Sequence, residues 1–463
     1  MQAFNPYLPS WEYIPDGEPY VFGDRVYVYG SHDAWNGHAF CLNDYVCWSA
    51  PVDDLGNWRY EGVIYERTQD PKNVRNDMCL YAPDVTVGPD GRYYLFYVLD
   101  RISIVSVAVC DEPAGKYEFL GYVHYQDGTL LGEKEGDEPQ FDPGVITIGD
   151  KTYLYTGFCG QGDKSRSGCM LTVLDKDMLT ILEAPKIMIP GNCYSSGTGF
   201  EGHAFFEAPS IRCFDDKFYL IYSSEVMHEL CYALADSPKG PFVYGGVIMS
   251  NADIGIDSYK PSDLPGGIGA NNHGSLIEIE GKRYIFYHRH TNNTWYSRQG
   301  CAEKVEFRPD GSVVQSEMTS CGLNDGPLKG EGEYPSYIVC NIMDKHKALY
   351  IGEYDVPKVV QYGRDGDEEQ GYISNISDGC CFGFKYFDFR DVSKISLKVR
   401  GYSNGTFVIR TEREGAELAR LTMGYSTIWE EYAAECHFPE GVHDLYISFE
   451  GDGKAEFLSF SFS

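Results

Sequence analysis

The chain has 463 residues, a length that exceeds one ordinary hydrophobic core and indicates two domains or more. Its formal net charge of −31 repels phosphate backbones and anionic lipids, so nucleic acid and membranes are not expected among its partners. Aromatic residues make up 15% of the chain, with 37 Tyr, and Gly contributes 51 residues. Tyr favours strands and Gly favours turns, so this composition predicts an all-β protein.

The 15 cysteines are odd in number, and Cys380 and Cys381 are adjacent. This pattern predicts buried, reduced thiols rather than a disulfide framework. The cysteines include no CxxC pair, so zinc is not expected. The N-terminal residues MQAFNPYLPSWEYIPDGEPY lack the basic and apolar regions of a signal peptide, and no run of 18 apolar residues occurs. We therefore expect a cytoplasmic protein without a membrane span.

Five segments repeat a Gly- or Asp-containing turn followed by a Tyr-rich strand. In chain order they read GDRVYVYGSHD, GRYYLFYVLD, GDKTYLYTGF, DDKFYLIYSS and GKRYIFYHRH. Their matching tyrosines are 67, 59, 66 and 65 residues apart: Tyr27, Tyr94, Tyr153, Tyr219 and Tyr284. A repeat of this size holds one four-stranded sheet with its loops. Five such sheets arranged radially predict a five-bladed β-propeller over residues 1–318.

The strand before each turn carries one polar residue, 10 to 12 positions before the repeated Tyr. The five strands read PDGEPYVF, APDVTVGP, FDPGVITI, FEAPSIRCF and NHGSLIEI, and the polar residues are Asp16, Asp84, Asp142, Glu207 and His273. Because the innermost strand of every blade lines the propeller axis, equivalent positions converge there. Turn chemistry alone explains one such Asp. Five polar residues in register predict a functional site at the mouth of the axis.

The five motifs, in this order and at blade spacing, resemble glycoside hydrolase family 43 over residues 4–318. The resemblance implies inverting hydrolysis, in which two carboxyl groups about 6.5–9.5 Å apart act as general acid and as general base on a water molecule. It implies Asp16 as the base, Glu207 as the acid and Asp84 as the group that tunes the pKa of the acid. PDGEP replaces the form PDPS of many relatives, which makes Glu18 a rival for the base. A retaining mechanism, with carboxyls about 5–5.5 Å apart, is the disfavoured alternative.

The same resemblance implies supporting roles for two residues, His273 and Arg298. His273 helps to hold a structural Ca²⁺ at the propeller axis, although one imidazole would not by itself predict that ion. Arg298 reaches sugar hydroxyls with its guanidinium. His32 follows the blade-one strand in GSHD, where loops return to the mouth of the axis, so we expect it to contact the substrate. We expect Asp142 to contact either the substrate or the ion network. Three tryptophans are candidate platforms for a sugar face, with packing as the alternative for each: Trp11, Trp35 and Trp295.

The pattern changes after Gln315. The stretch TSCGLNDGPLKGEGEYPSY is rich in Gly and polar residues and predicts a linker at 319–334. Residues 335–463 carry short alternating strands such as GFKYFDF and KISLKVRGY, which predict a C-terminal β-sandwich. This region resembles a family 6 carbohydrate-binding module. A purely structural partner for the catalytic domain is the alternative.

The sequence thus predicts an exo-acting β-xylosidase or α-L-arabinofuranosidase, or both, with small hemicellulose-derived oligosaccharides as its substrates. Within the same family, the alternative is an enzyme directed at arabinan or galactan. A non-catalytic sugar-binding propeller is the alternative from another class. It would be expected to lack at least one of Asp16, Asp84 and Glu207, and all three are present. The sequence does not define the sugar, the linkage or the oligomeric state.

Overall fold

The computed structural model describes residues 1–256 and 264–463, and within these ranges it contains strands, three short 3₁₀ turns and no α-helix. The 3₁₀ turns are Arg67–Gln69, Asn192–Tyr194 and Ser336–Ile338. No helix in the described part of the chain has the length and apolar character needed to cross a membrane. The prediction of an all-β protein is confirmed.

Five antiparallel sheets form the predicted propeller. Four of them have four strands in sequential order: β1 (Glu18–Phe22), β2 (Arg25–Tyr29), β3 (Tyr45–Pro51) and β4 (Arg59–Tyr65) in blade 1; β5 (Leu80–Val87), β6 (Tyr93–Leu99), β7 (Ser106–Cys110) and β8 (Glu118–Tyr122) in blade 2; β9 (Gly144–Ile148), β10 (Lys151–Thr156), β11 (Gly168–Leu174) and β12 (Ile181–Pro190) in blade 3; β13 (Phe205–Phe214), β14 (Lys217–Ser224), β15 (Glu229–Ala235) and β16 (Val243–Ser250) in blade 4. Blade 5 has three strands among the described residues: β17 (Leu276–Ile279), β18 (Lys282–His290) and β19 (Arg298–Lys304).

The five repeated tyrosines all lie on the second strand of a blade, which places the repeat in the predicted register. The first hairpin of blade 1 turns at Gly23, whose φ of +63° is a left-handed conformation that favours glycine. A parallel bridge between Gly17 and Gly274 joins blade 1 to blade 5 and closes the ring. Ring closure fixes where the five inner strands begin, and therefore where the motif residues meet.

The C-terminal strands form one continuous ten-stranded sheet: β20 (Leu328–Lys329), β21 (Gly332–Pro335), β22 (Asn341–Met343), β23 (Lys358–Val360), β24 (Tyr372–Ile376), β25 (Cys381–Phe389), β26 (Lys394–Arg410), β27 (Ala419–Met423), β28 (Ser426–Glu435) and β29 (Gly441–Phe462). Strands β26 and β29 each pair with several partners, so the sheet curls around its own core. Phenylalanines dominate that core, with Phe384, Phe457 and Phe460 packed together.

The stretch 319–334 differs from the predicted linker, because β20 and most of β21 lie within it. Gly- and Pro-rich composition also suits short edge strands, which the sequence pattern alone does not separate from a linker. The two parts of the chain also share buried polar contacts. The ammonium of Lys385 is fully buried, 2.7 Å from Glu317, and the guanidinium of Arg289 donates to the carbonyl oxygen of Val339 at 2.8 Å.

Candidate active site

Four of the five motif residues meet at one pocket of about 320 Å³ at the propeller axis. Asp16, Asp142, Glu207 and His273 all line it, together with Arg298. Each is at least nine-tenths buried, except Glu207, which is partly exposed. A volume of this size lies at the small end of ligand pockets. The inner strands thus bring together residues that are up to 282 positions apart in the chain.

The backbone bends where these side chains enter the pocket. Asp16, Asp142 and Ala208 have positive φ values of 57°, 44° and 62°, a region that residues other than glycine seldom adopt. The pairing of β13 with β14 also shifts register on both sides of Glu207. Such bulges re-aim a side chain away from the sheet. These distortions lie at or next to the three carboxyl residues that line the pocket.

The guanidinium of Arg298 and two imidazoles surround the carboxylate of Asp16. Arg298 Nη1 donates to Asp16 Oδ1 at 3.0 Å, and the Nδ1 atoms of His288 and His273 lie 3.3 and 3.8 Å from the same oxygen. Burial by itself would raise the pKa of Asp16, but the charge of Arg298 and the imidazoles lower it well below the usual range. Asp16 is therefore ionised at neutral pH.

Arg298 is held by Asp33, which sequence reasoning did not identify. Arg298 Nε donates to Asp33 Oδ2 at 2.8 Å, and Nη2 donates to Asp33 Oδ1 at 3.0 Å. Side chains of both residues are buried, with 3% and 0% of their surfaces exposed. Because Asp33 occupies one edge of the guanidinium, the remaining Nη1 edge faces Asp16 and the pocket.

Glu207 has the opposite electrostatic environment. Burial and the neighbouring carboxylate of Asp142 raise the pKa of Glu207 to about 8. Burial also raises the pKa of Asp142, to about 7, while the Ala208 N–H donates to Asp142 Oδ2 at 3.1 Å and favours its ionised form. A proton shared between the two carboxyls therefore resides on Glu207. At neutral pH the pocket thus contains a protonated Glu207 and, on its other side, an ionised Asp16.

The structure does not support Asp84 as the group that tunes this acid. Asp84 does not line the pocket, and Asp142 is the carboxylate with the largest effect on Glu207. The oxygens of Asp84 accept the Tyr20 hydroxyl at 2.6 Å and the Val145 N–H at 2.7 Å. Asp84 therefore ties blade 1 to blade 3 beneath the site. The motif APD correctly predicts that Asp84 lies on an inner strand. The pairing of β5 with β6 shifts register between Tyr81 and Asp84, and the carboxyl group points to Tyr20 and Val145 rather than into the pocket.

His32 also lies outside the pocket, contrary to the sequence-based prediction. Its Nδ1 is 2.8 Å from the carbonyl oxygen of Asp44, and its Nε2 is 3.0 Å from Glu12 Oε1. Both ring nitrogens are thus occupied by the protein. The adjacent residue, Asp33, makes the contact with Arg298 instead.

Of the three tryptophans, only Trp295 lines the pocket. Trp11 packs against Trp48 with ring centroids 5.9 Å apart, and Trp35 stacks on Tyr13 at 5.5 Å. Trp11 and Trp35 therefore have packing roles.

Glu18, the rival for the base, lies below the pocket, where Arg212 donates a hydrogen bond to its Oε2 atom.

A ring of aromatic side chains, here called the aromatic collar, forms much of the pocket wall. Its neighbouring rings contact one another in sequence, with centroids 4.8 to 6.5 Å apart: Tyr296, Phe40, Tyr81, Phe141, Phe158 and Phe206. Sequence reasoning missed these residues. One local pattern points to two of them, because Phe141 directly precedes Asp142 and Phe206 directly precedes Glu207.

The residues beneath the pocket offer a cation one carboxylate oxygen that has no hydrogen-bond partner. Glu18 Oε1 is a buried carboxylate oxygen without a hydrogen-bond partner, and it lies 3.7 Å from His273 Nε2. This separation is too long for a hydrogen bond. Carboxylate oxygens are the ligands that Ca²⁺ prefers, so Glu18 would supply the oxygen that His273 alone could not.

One C-terminal segment, residues 349–365, supports the rim of the pocket. The carbonyl oxygen of Leu349 accepts the Gly269 N–H at 2.7 Å, and the Tyr350 hydroxyl donates to the Val226 carbonyl oxygen at 3.1 Å. The loops held in this way carry the pocket-lining residues Asn271 and Met227.

The other end of the segment holds the loop between β2 and β3. Asp365 accepts the Trp35 N–H at 2.5 Å and the Asn43 side-chain amide at 2.9 Å. Phe40 of the aromatic collar lies between these two positions in the chain. The curled sheet therefore contributes to the shape of the pocket without lining it.

A buried ionised carboxyl and a protonated carboxyl in one small pocket can perform general base and general acid catalysis together. The aromatic collar suits a ligand with apolar ring faces, and the carboxyl groups together with Arg298 Nη1 suit a ligand with hydroxyl groups. A sugar has both.

Comparison with known proteins agrees with this chemistry. The family model described as "Glycosyl hydrolases family 43" matches residues 12–313. The "Xylosidase/arabinosidase" of Thermoclostridium stercorarium is 60% identical over 466 residues, which cover 99% of this chain and 98% of that protein. The "Xylosidase/arabinosidase" of Bacteroides ovatus is 26% identical over 68% of this chain and 99% of its own length.

The solved structures with a similar fold include two glycoside hydrolases of family 43. A β-xylosidase/α-arabinofuranosidase of family 43 from a compost microbial metagenome, described in complex with xylotriose and as a calcium-free form, matches with a TM-score of 0.53 and 25% identity over 68% of this chain and 98% of that one. An arabinoxylan arabinofuranohydrolase from Bacillus subtilis matches with a TM-score of 0.54 and 18% identity over 99% of this chain and 97% of that one. The second likeness shows a common fold across nearly the whole chain.

Proposed function

Since this chain belongs to family 43 of the glycosyl hydrolases and is a glycoside hydrolase, we propose that it removes terminal xylose or arabinofuranose from short hemicellulose-derived oligosaccharides. The observation that carries this proposal is the pairing of an ionised Asp16 with a protonated Glu207 in one pocket of about 320 Å³. The names of the relatives support the choice of sugars.

In the proposed mechanism, Asp16 accepts a proton from the water that attacks the anomeric carbon. Glu207 donates its proton to the leaving glycosidic oxygen, which suits a carboxyl with a pKa of about 8. Asp142 raises that pKa through its negative charge. Arg298, held by Asp33, keeps Asp16 ionised and places its Nη1 group at the pocket, beside the proposed base.

The pocket walls support terminal rather than internal cleavage. The aromatic collar and Trp295 line a pocket of about 320 Å³, a volume at the small end of ligand pockets that suits the end of a sugar chain better than its middle. Aromatic faces pack against the C–H faces of a sugar ring. An enzyme directed at longer arabinan or galactan chains is the alternative within the family.

We also propose that His273 and Glu18 hold a Ca²⁺ ion beneath the pocket. Support comes from the unpartnered Glu18 Oε1 atom and from a structural neighbour whose description mentions a calcium-free form. The ion would supply fixed positive charge beneath the site. The proposed catalytic steps of Asp16 and Glu207 do not require this ion to exchange its ligands.

Localisation in a reducing compartment is a further part of the proposal. All 15 cysteines are free, and twelve of them are buried. Buried thiols of this kind suit the cytoplasm.

The decisive experiment compares two substrates that differ in their leaving group. Xylobiose needs protonation of its leaving oxygen, whereas dinitrophenyl β-xyloside needs little. We expect Glu207→Ala to lose roughly 10²–10⁴-fold in kcat on xylobiose and far less on the aryl xyloside. Asp16→Ala should lose activity on both substrates, because water activation is required for each.

Aryl α-L-arabinofuranoside and linear arabinan complete the set of substrates. Activity on arabinan with none on either aryl glycoside would replace the proposed substrate with the alternative. No hydrolysis of any substrate by folded wild-type protein would overturn the proposed activity. Equal losses by Glu207→Ala on xylobiose and on the aryl xyloside would overturn the assignment of the acid.

A further inference from the structure

A second cluster of metal-ligating side chains lies in blade 4, outside the active site. Glu229 and Cys231 are two positions apart on β15, so their side chains project from the same face of the strand. His203 reaches them from the loop that precedes β13. His203 Nδ1 lies 2.9 Å from Glu229 Oε2, and Cys231 Sγ lies 4.0 Å from His203 Nδ1 and 3.8 Å from Glu229 Oε2.

We propose that His203, Glu229 and Cys231 form a binding site for Zn²⁺. In a tetrahedral zinc site with ordinary bond lengths, the ligand atoms are about 3.4–3.6 Å apart. The three observed separations, 2.9, 3.8 and 4.0 Å, bracket these values. A metal ion would replace the proton that now lies between His203 and Glu229.

The chemistry of the ligands selects the type of ion. Thiolate and imidazole favour Zn²⁺ over the hard cations Ca²⁺ and Mg²⁺. One thiolate, one carboxylate and one neutral imidazole balance the two positive charges of Zn²⁺, and a neutral assembly is the state that a low-dielectric site favours. This ligand set has no CxxC spacing, which explains why the sequence did not predict it.

The surroundings orient the ligands and leave one position open. The ring of Tyr244 stacks on that of His203 at 5.1 Å with an interplanar angle of 13°, and Ser224 Oγ donates to Glu229 Oε2 at 3.0 Å. Cys231 has no exposed surface, whereas the His203 side chain is 33% exposed. Solvent can therefore reach the site from the histidine side and supply a fourth ligand, as at three-ligand zinc sites.

The position of the site suggests its role. His203 lies four residues before Glu207, and Phe206 of the aromatic collar lies between them in the chain. A bound ion would fasten this segment to β15 and so stabilise the position of the proposed acid. The ion takes no part in the hydrolysis.

The test is Zn²⁺ titration of untagged, chelator-treated, full-length protein by isothermal calorimetry. We expect one bound ion per chain and a rise in Tm on adding Zn²⁺. His203→Gln and Cys231→Ser should each weaken binding by about tenfold or more. Cys213→Ser removes an exposed thiol outside the cluster, and Glu207→Gln alters the active site; both should bind Zn²⁺ as the wild type does.

Co²⁺ supplies a second readout. A thiolate bound to Co²⁺ gives a charge-transfer absorption band in the near ultraviolet, which should appear in the wild type and in Cys213→Ser but not in Cys231→Ser. If Cys231→Ser fails to fold, the partly exposed His203→Gln decides the question by calorimetry. Absence of Zn²⁺ binding by the wild type, or equal binding by the wild type and His203→Gln, would overturn the proposal.

Discussion

Asp33 and Arg298 form a buried two-pronged ion pair, with Nε–Oδ2 and Nη2–Oδ1 distances of 2.8 and 3.0 Å. The two residues are 265 positions apart in the chain, on blades 1 and 5. Because the same guanidinium donates to Asp16, the pair controls the position of the proposed base. Asp33 therefore acts on the reaction through Arg298 and is a positioning residue.

Asp33→Asn should reduce both stability and activity. Breaking a buried ion pair by removing one charge costs about 3–5 kcal/mol in the free energy of unfolding. The misplaced Arg298 should also lower kcat more than it raises KM, because the base and not only the sugar is displaced. Denaturant unfolding and steady-state kinetics measure these effects. The exposed pair Arg92–Asp111 provides the control, and Asp111→Asn should change neither quantity.

Activity should depend on pH through Glu207. This carboxyl is protonated below its pKa of about 8 and ionised above it, so kcat/KM on xylobiose should fall as pH rises through that value. Asp16, whose pKa is held far below the usual range, should cause no matching loss on the acidic side while the protein remains folded. A pH profile of kcat/KM between 4 and 10 tests both limbs. A basic limb that survives in Glu207→Gln would contradict the assignment.

Asp142→Asn and Asp84→Asn should separate the two candidates for tuning the acid. Removal of the Asp142 charge should lower the pKa of Glu207 and move the basic limb to lower pH. Asp84→Asn keeps the size of a side chain that is bound to Tyr20 and the Val145 amide, and it should leave that limb in place. The measurement is the same pH profile. A shift caused by Asp84→Asn alone would restore the sequence-based assignment.

The free energy of unfolding should also depend on pH through Glu207. The folded state holds a proton on Glu207 up to about pH 8, whereas the unfolded chain releases it near pH 4.5. The free energy of unfolding should therefore decrease as pH rises between these values, because the folded state binds more protons. Glu207→Gln removes the titrating carboxyl group, so the free energy of unfolding of this variant should change less with pH. Urea unfolding of both proteins across this pH range provides the comparison.

The C-terminal segment should affect substrate binding without taking part in catalysis. Asp365→Ala removes the acceptor for the Trp35 N–H and the Asn43 amide, which should loosen the loop that carries Phe40. We expect KM to rise severalfold with a smaller change in kcat. Asp367→Ala is the matched control, since that carboxylate accepts from the Arg364 N–H within its own loop. Equal kinetics for the two variants would show that the contact is only structural.

The repeat pattern was sufficient to predict the propeller architecture from the sequence, because hairpin turns and Tyr-rich strands are local features. Each repeated tyrosine lies on the second strand of its blade, as the pattern predicts. The linker was less predictable, since Gly and Pro occur both in linkers and in short edge strands such as β20 and β21. The zinc ligands were also hidden, because His203 and β15 meet only through folding.

The sequence by itself determined which strand positions converge on the axis, since the period of the repeat places equivalent residues at equivalent points of a closed ring. It did not determine which carboxyls reach the pocket. Left-handed residues occur at Asp16 and Asp142, and a bulge surrounds Glu207. Blade 2 has a left-handed Ala82 and a bulge as well, but its Asp84 bonds to Tyr20 and stays outside the pocket. Those distortions depend on packing between blades. Asp142 rather than Asp84 therefore lies beside Glu207, and Asp33 rather than His32 holds Arg298, because tertiary contacts set the direction of each side chain after the repeat has set its position.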